Sequence, residues 1–323
     1  MELIDYTQTI VSSSVADDPL LRGLYSFIAG KTHYTAMSYR TAIQLYIDFL
    51  GGEVHQILTA DGFTVTRFKQ HLQKQYSDAT VGHRLSAISS MYRYLLKNGV
   101  AETNPVSLIE RGDVKINPYE HARPITIDQF NDILDIIPDS ISGKRDRAIF
   151  TMLYLSGLRR SAVLNLTGKD ITSANGKVYF KITLKGGGSA KKEMPLPVWI
   201  LITEYLATCN RELKDDECIF LPSSDAGDIL LAYHGRKKVS KGLSPELLNQ
   251  NFKRYAKNVG ITNVSIHSLR HLGATMYYQS SKDIIETMRF LNHKHVNTTQ
   301  VYLQSLKGEE HDHWQAMMRH INQ

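Results

Sequence analysis

Six residues in the second half of the chain are of types that can act together on an anionic centre: Arg159, Lys185, His267, Arg270, His293 and Tyr302. Guanidinium groups bind oxyanions bidentately and stay charged at every working pH. Histidine titrates in the range that suits proton transfer near neutrality. A tyrosine hydroxyl, with a pKa of about 10, becomes a nucleophile there only with help from a base.

Taken singly, each residue also has an ordinary explanation. Arg159 follows Gly157-Leu158. Gly157 can end a helix in the left-handed conformation and Ser161 can cap the next one. An arginine in such a turn is usually a surface charge or a carbonyl cap. Lys185 precedes Gly186-Gly187-Gly188 at the end of an alternating run, where a lysine can swing toward a ligand. No Gly-Lys-Ser/Thr follows the glycines, so a phosphate-binding P-loop is excluded, and a plain hairpin is the bland reading. His267 and Arg270 stand three apart in His267-Ser268-Leu269-Arg270-His271, on one helical face, with Leu269 and Leu272 toward the core. His267 and His271 lack the glutamate of a zinc-binding HExxH. His293 follows an apolar helix, and Tyr302 lies one turn into a short helix capped by Asn297 or Thr298. A lone tyrosine there is normally a core residue.

The elements that must hold these residues follow from periodicity. Residues 20–50 read as two helices split near Gly30, the second ending at Gly51-Gly52. Further helices are expected at 64–75 and 80–98, the last with Leu85, Ile88, Met91, Tyr92 and Leu95 on its apolar stripe. A helical bundle over 1–108 results. Residues 109–122 are polar and proline-bearing and read as a linker. The second domain, 123–323, opens with helices at 126–137 and 144–156. A strand over 177–184 then alternates through Val178, Phe180, Ile182 and Leu184, with a returning strand over 193–196. Helices follow at 197–209, 245–258, 267–279, 282–291 and 298–304, and a last one runs through Trp314 to Ile321. The fold class is mainly α, with a small antiparallel sheet in the second domain.

The net charge is +6 and the pI about 9.1, which suits a polyanionic partner. The excess sits in residues 109–323, with 29 basic residues against 23 acidic ones; residues 1–108 hold nine of each. Within that balanced half, Arg67, Lys69, Lys74, Arg84, Arg93 and Lys97 occur with only Asp78 among them. This is either a solvated helix face or a nucleic-acid contact. No apolar run reaches the length of a membrane helix, about 18 residues. Met1 to Asp18 carries four acidic residues and no basic one, the wrong charge for a leader, so a cytoplasmic location is expected. Cys209 and Cys218 form no CxxC pair and imply neither a zinc site nor a disulfide framework.

In this order and spacing the six residues resemble the catalytic pattern of the tyrosine recombinase (phage integrase) family. The shared features are an Arg in a Gly-Leu-Arg turn, a hairpin Lys, a His-x-x-Arg box, a His after an apolar helix, and a Tyr nine residues later in Thr-Thr-x-x-Tyr. The match runs from about Arg123 to Tyr302, and the first half resembles the family's helical core-binding domain through Asn104-Pro105. The family's acidic residue three after the first Arg is Ala162 here, and its Leu-Gly-His reads Leu291-Asn292-His293.

The resemblance implies a site-specific recombinase that cleaves and rejoins duplex DNA through a 3′-phosphotyrosyl link on Tyr302. Arg159 and Arg270 would hold the phosphate, His267 would act as base, Lys185 would protonate the leaving 5′ oxygen, and His293 would donate to the phosphate. With two arginines neutralising the charge, no metal or other cofactor is implied. Arg67, Lys69, Lys74, Arg84 and Arg93 are candidate DNA contacts. The partners implied are duplex DNA with short inverted repeats and three further copies in a tetramer that passes through a Holliday junction, with an accessory protein as an optional further partner; no membrane is implied. Only about 20 residues precede the first bundle helix, so no arm-binding domain is expected, and resolution or integration of a replicon or mobile element is the expected outcome. The amphipathic tail with Trp314, Met317, Met318 and Ile321 either packs on its own domain or docks on a neighbouring protomer. The competing readings are a type IB topoisomerase, which uses nearly the same residues, and a DNA-binding protein that has lost catalysis.

Overall fold

The computed structural model describes residues 17–110, 112, 124–183, 188–223, 232–234, 237–239 and 242–303; for the strand residues between 232 and 239 and for 301–303 it describes the backbone only. The chain divides into two compact units, Met1–Asn117 and Pro118–Gln323.

Among the described residues the first unit has four α-helices: α1 (Pro19–Ala29), α2 (His33–Phe49), α3 (Gly62–Gln73) and α4 (Asp78–Lys97). Asp18 caps α1 through its carboxylate, and Asp61 does the same for α3. The α4 stripe of Leu85, Ile88, Met91, Tyr92 and Leu95 is fully buried, as its spacing requires. Phe27, Tyr46, Ile57 and Phe68 complete that core. The Tyr46 and Tyr92 hydroxyls meet at 3.2 Å, and Tyr92 donates to the Ile57 carbonyl at 2.8 Å.

In the second unit, α5 (Ile127–Asp135) starts in a capping box between Thr126 and Gln129. Helix α6 (Ile141–Ser156) runs through the core with Ala148, Ile149, Phe150, Met152 and Leu153 buried. It ends at Gly157, whose φ of 59° is the left-handed stop expected there. Helix α7 (Arg160–Leu164) begins immediately after, with Arg159 as its N-cap residue. Ser161 is therefore inside the helix and does not cap it; the turn closes two residues sooner than a side-chain cap would require.

The sheet has three antiparallel strands in the order β1 (Ile171–Ala174), β2 (Lys177–Thr183), β3 (Ser189–Glu193). Phe180 and Ile182 face inward as the alternation predicts; Leu184 lies outside the described residues. The returning strand sits earlier than expected, because Met194 is pulled into the core and Pro195 leads directly into α8 (Leu196–Thr208). A two-stranded pair, β4 (Ala232–His234) and β5 (Lys237–Val239), precedes α9 (Pro245–Asn258).

Helices α10 (His267–Ser281), α11 (Ile284–Phe290) and α12 (Val296–Leu303) end the described chain. Helix α12 starts at Val296, so Asn297 and Thr298 lie within its first turn and neither precedes it as a cap. Helices α6 and α10 approach backbone to backbone: a Cβ on Gly273 would stand 2.3 Å from the Tyr154 carbonyl oxygen. The helix expected over 314–321 lies outside the described residues.

Candidate active site

Arg270, on the inner face of α10, is the hub of the site. It is 2% exposed. One Nη donates to the carbonyl of Gly157, the residue that turns the chain toward Arg159. The other Nη donates to the Leu291 carbonyl at 2.8 Å and lies 2.7 Å from His293 Nε2. A guanidinium can only donate, so Nε2 accepts and the His293 proton resides on Nδ1. Nδ1 then donates to Thr299 Oγ1 at 3.0 Å, on α12. Loss of hydration, with Arg270 and Arg159 nearby, pushes the His293 pKa down to about 4, in keeping with a neutral ring.

Arg159 is half-buried at the α6–α7 turn, and its guanidinium makes no hydrogen bond or ion pair among the described residues. It borders a cavity of about 440 Å³ together with Ala162, Asp170, Lys181, Arg270 and Asn292. His267 opens α10 and keeps an exposed face. Its pKa is lowered by partial loss of hydration and by Arg160, Arg270 and Arg159, which places the imidazole within the field of both site arginines. Helix α12 carries Tyr302 in its last turn, three residues after Thr299, though the tyrosine side chain is outside the described set. Lys185 also lies outside the described residues. Four of the six candidates are thus drawn together around Arg270, with the fifth on the helix that Thr299 ties to them.

A description of the Phage integrase family matches residues 123–309, and one of the N-terminal SAM-like domain of phage integrases matches residues 25–99. The chain belongs to the phage integrase family. Relatives of this chain include the tyrosine recombinase XerD of Lacticaseibacillus casei, 26% identical over 84% of this chain and 88% of that one. Tyrosine recombinase XerA of Thermococcus kodakarensis is 28% identical over 86% and 87%. Among solved structures, the XerH site-specific recombinase bound to a palindromic difH substrate in a post-cleavage complex superposes with a TM-score of 0.63 at 19% identity, covering 83% of this chain and 75% of that one. A lambda integrase tetramer bound to a Holliday junction superposes at 0.65 and 17% identity, covering 90% and 78%. These likenesses share the fold.

Both departures of this integrase from the family pattern have a structural setting. Asn292 adopts φ 52°, the left-handed conformation that glycine takes freely and asparagine tolerates best among the other residues. The turn aiming His293 therefore survives the replacement. Ala162 lines the cavity under Arg159, and the carboxylate sharing that cavity is Asp170. Asp170 is held by the backbone N–H and hydroxyl of Thr167 at 3.0 and 2.8 Å.

In the first unit, Arg67, Lys74 and Arg93 are exposed. Lys69 is a correction: it is 8% exposed and donates to the Glu110 carbonyl at 3.1 Å, because it falls on the same helical face as Val65, Phe68 and Leu72. It braces the bundle and is not presented to a ligand. Arg84 Cζ lies over the Tyr76 ring, 3.4 Å from its centroid, and one of its Nη atoms is buried with no hydrogen-bond partner among the described residues. It borders a small polar recess with Ser38, Thr41 and His83.

Two residues escaped the sequence reading. Thr299, fully buried, was visible only as part of the Thr-Thr-x-x-Tyr context. Lys192 on β3 gave no signal beyond a charged strand, yet its Nζ donates to the Phe290 carbonyl at 2.6 Å. No group of three or more His, Cys, Asp or Glu among the described residues could hold a metal ion, and none of their helices is long and apolar enough to cross a membrane.

Proposed function

We propose that this integrase breaks and rejoins duplex DNA at specific sites through a covalent link between Tyr302 and a 3′ phosphate. The observation that carries the assignment is the double attachment of Arg270, which binds the turn presenting Arg159 and, through Leu291 and His293, the turn leading to the tyrosine helix. Two guanidinium groups set this way supply fixed positive charge where the non-bridging oxygens of the pentacoordinate transition state accumulate negative charge, and preorganised donors of this kind often contribute more to catalysis than any other single effect. His267, whose pKa is lowered by partial loss of hydration and then by the neighbouring arginines, accepts the Tyr302 proton. Lys185 returns a proton to the leaving 5′ oxygen. His293 reaches the phosphate through Nε2 once Arg270 transfers its bond from the imidazole to a phosphate oxygen and the ring takes a proton from solvent at Nε2; the incoming negative charge favours both. The phosphotyrosyl bond conserves the energy of the broken phosphodiester, so rejoining requires no nucleotide cofactor.

The two units together would clamp a duplex, the second unit over the scissile phosphate and the first through Arg67, Lys74, Arg84 and Arg93. Binding dominated by phosphate contacts falls steeply with salt. The relatives solved on a palindromic DNA substrate and, as a tetramer, on a Holliday junction support assembly of four copies on sites with short inverted repeats. The direct test incubates the protein with nicked, fragmented DNA from its source replicon in excess chelator and sequences the protein-linked fragments. Adducts formed by the wild type and absent with Tyr302→Phe are expected. Adducts that persist in Tyr302→Phe, or none on any fragment despite salt-sensitive binding, would overturn the assignment.

A further inference from the structure

The C-terminus of α11 aims His293, and its backbone can be accounted for carbonyl by carbonyl. Every helix ends with carbonyls that have no partner within the helix, and these must find one elsewhere if they are buried. The Leu291 N–H takes Thr287 O. His293 N–H reaches back to Met288 O at 3.0 Å and Asn292 N–H to Arg289 O at 3.0 Å, the crossed pair of a Schellman turn with Asn292 at its left-handed position. Two carbonyls remain, Phe290 O and Leu291 O. Arg270 takes the second, and Lys192 takes the first.

Lys192 reaches that carbonyl because of its register. Its Cα pairs with that of Phe180, and directly paired residues of an antiparallel ladder share a face. Phe180 is fully buried, so Lys192 points inward where the strand pattern calls for an apolar side chain, while Lys191 on the opposite face pairs with exposed Lys181. The ammonium stands 5.5 Å from the Phe290 ring centroid. That ring stacks on Tyr277 with centroids 4.5 Å apart and fills the space beside Gly157, where a Cβ would come within 2.4 Å of it. Its half-buried position beside Arg270 pushes the Lys192 pKa down to about 8, so an ammonium is held there against its hydration.

Resting on the recombinase reading above, we propose that Lys192 is a positioning residue for strand cleavage. It latches β3 to the end of α11 and so holds the His293 turn in register with Arg270. Lys192 acts through the Phe290 carbonyl and gives no proton to the leaving oxygen.

The experiment uses the full-length protein and a nicked duplex carrying the site trapped in the wild-type adducts, made once with an ordinary scissile phosphate and once with sulfur as the bridging 5′ atom. A thiolate leaves without a proton, so sulfur rescues the loss of a proton donor and leaves a positioning defect in place. Lys192→Met is expected to bind the duplex within about threefold of wild type. It should form adduct 10- to 100-fold more slowly on both substrates, the scale of a misplacement of about 1 Å. Lys192→Arg keeps a donor for Phe290 O and is expected to recover most of that loss, which also covers the case of a poorly folding Lys192→Met. Wild-type rates with Lys192→Met, rescue by the sulfur substrate, or a Lys192→Arg as slow as Lys192→Met would each overturn the proposal. Failure of the wild type itself to form a Tyr302 adduct is a different result, which sinks the recombinase reading.

Discussion

Among the described residues, the unit of α1–α4 buries a single charged side chain, Lys69, whereas the second unit buries Arg145, Asp146, Arg270, His271 and His293, with Ser268, Thr287 and Thr299 among them. The first is held by an apolar stripe facing apolar stripes, a solution that tolerates exchange of one hydrocarbon for another. The second spends stability on groups that need particular partners. Arg145 Nε and Nη2 donate to Asp146 Oδ1 at 2.9 and 2.8 Å, its Nη1 donates to the Leu221 carbonyl, and Asn251 donates to Asp146 Oδ2 at 2.8 Å. A network of this kind fixes one arrangement of helices with little latitude, which a site needing two arginines at set spacing requires.

The contrast is broken most directly at Asp146. Replacing it with alanine strands the Arg145 charge in the core and is expected to cost about 3–5 kcal/mol in urea unfolding of the second unit. A loss under about 1 kcal/mol would mean that the pair contributes nothing particular.

Acid should separate the units next. His271 and His293 are both held near a pKa of about 4, against about 6.5 when unfolded. Their neutral forms contribute stability that is complete above pH 6.5 and is lost as pH falls toward 4, roughly 2–3 kcal/mol for each. Unfolding midpoints measured between pH 7 and 4 should fall for the second unit, and His271→Gln should flatten part of that slope. An unchanged slope in that variant would remove His271 from the account.

The Schellman turn gives a smaller effect. Asn292→Val forces a β-branched residue to φ 52° and is expected to cost about 1–2 kcal/mol, with slower adduct formation, while Asn292→Gly is expected to match wild type. Equal stability of the two variants would show that the turn relaxes. Smallest of all, Tyr92→Phe in the first unit removes the hydroxyl bond to Ile57 O and should cost about 1 kcal/mol. A cost rivalling that of Asp146→Ala would erase the distinction between the two cores.

The same difference decides what could be read from the residues alone. Helices α4 and α9 were legible because apolar spacing and capping agree: Ser244 caps α9, Pro245 occupies its first position, and the expected span 245–258 is the observed one. Strand β1 was not, since Ile171-Thr172-Ser173-Ala174 is an edge strand exposed over its last three residues and carries no alternation. Strand β3 was placed too late because Ser189–Glu193 holds three charged residues, one of which, Lys192, faces inward. The buried pair Arg145-Asp146 sits in Lys144-Arg145-Asp146-Arg147, which by composition resembles a solvated face. Of the candidate site, spacing and resemblance nominate the candidates, but the bonds among the described ones were not legible. Thr299 to His293 and Lys192 to Phe290 join residues that no local pattern connects.

The near-contact of Gly273 with the Tyr154 carbonyl has a mechanical consequence. Where two helices meet through side chains, rotamers can yield and the helices can slide; where backbone meets backbone there is nothing compressible between them. Helices α6 and α10 therefore move as one block, and the span between the turn that bears Arg159 and the seat of Arg270 behaves as a ruler of fixed length. Helix α11 joins that block through the stack of Phe290 on Tyr277 and the Arg270 bond to the Leu291 carbonyl, and α12 is tied to it through the Thr299 bond to His293. On the proposed mechanism, a phosphate would meet the Arg159 turn and the seat of Arg270 as parts of one unit.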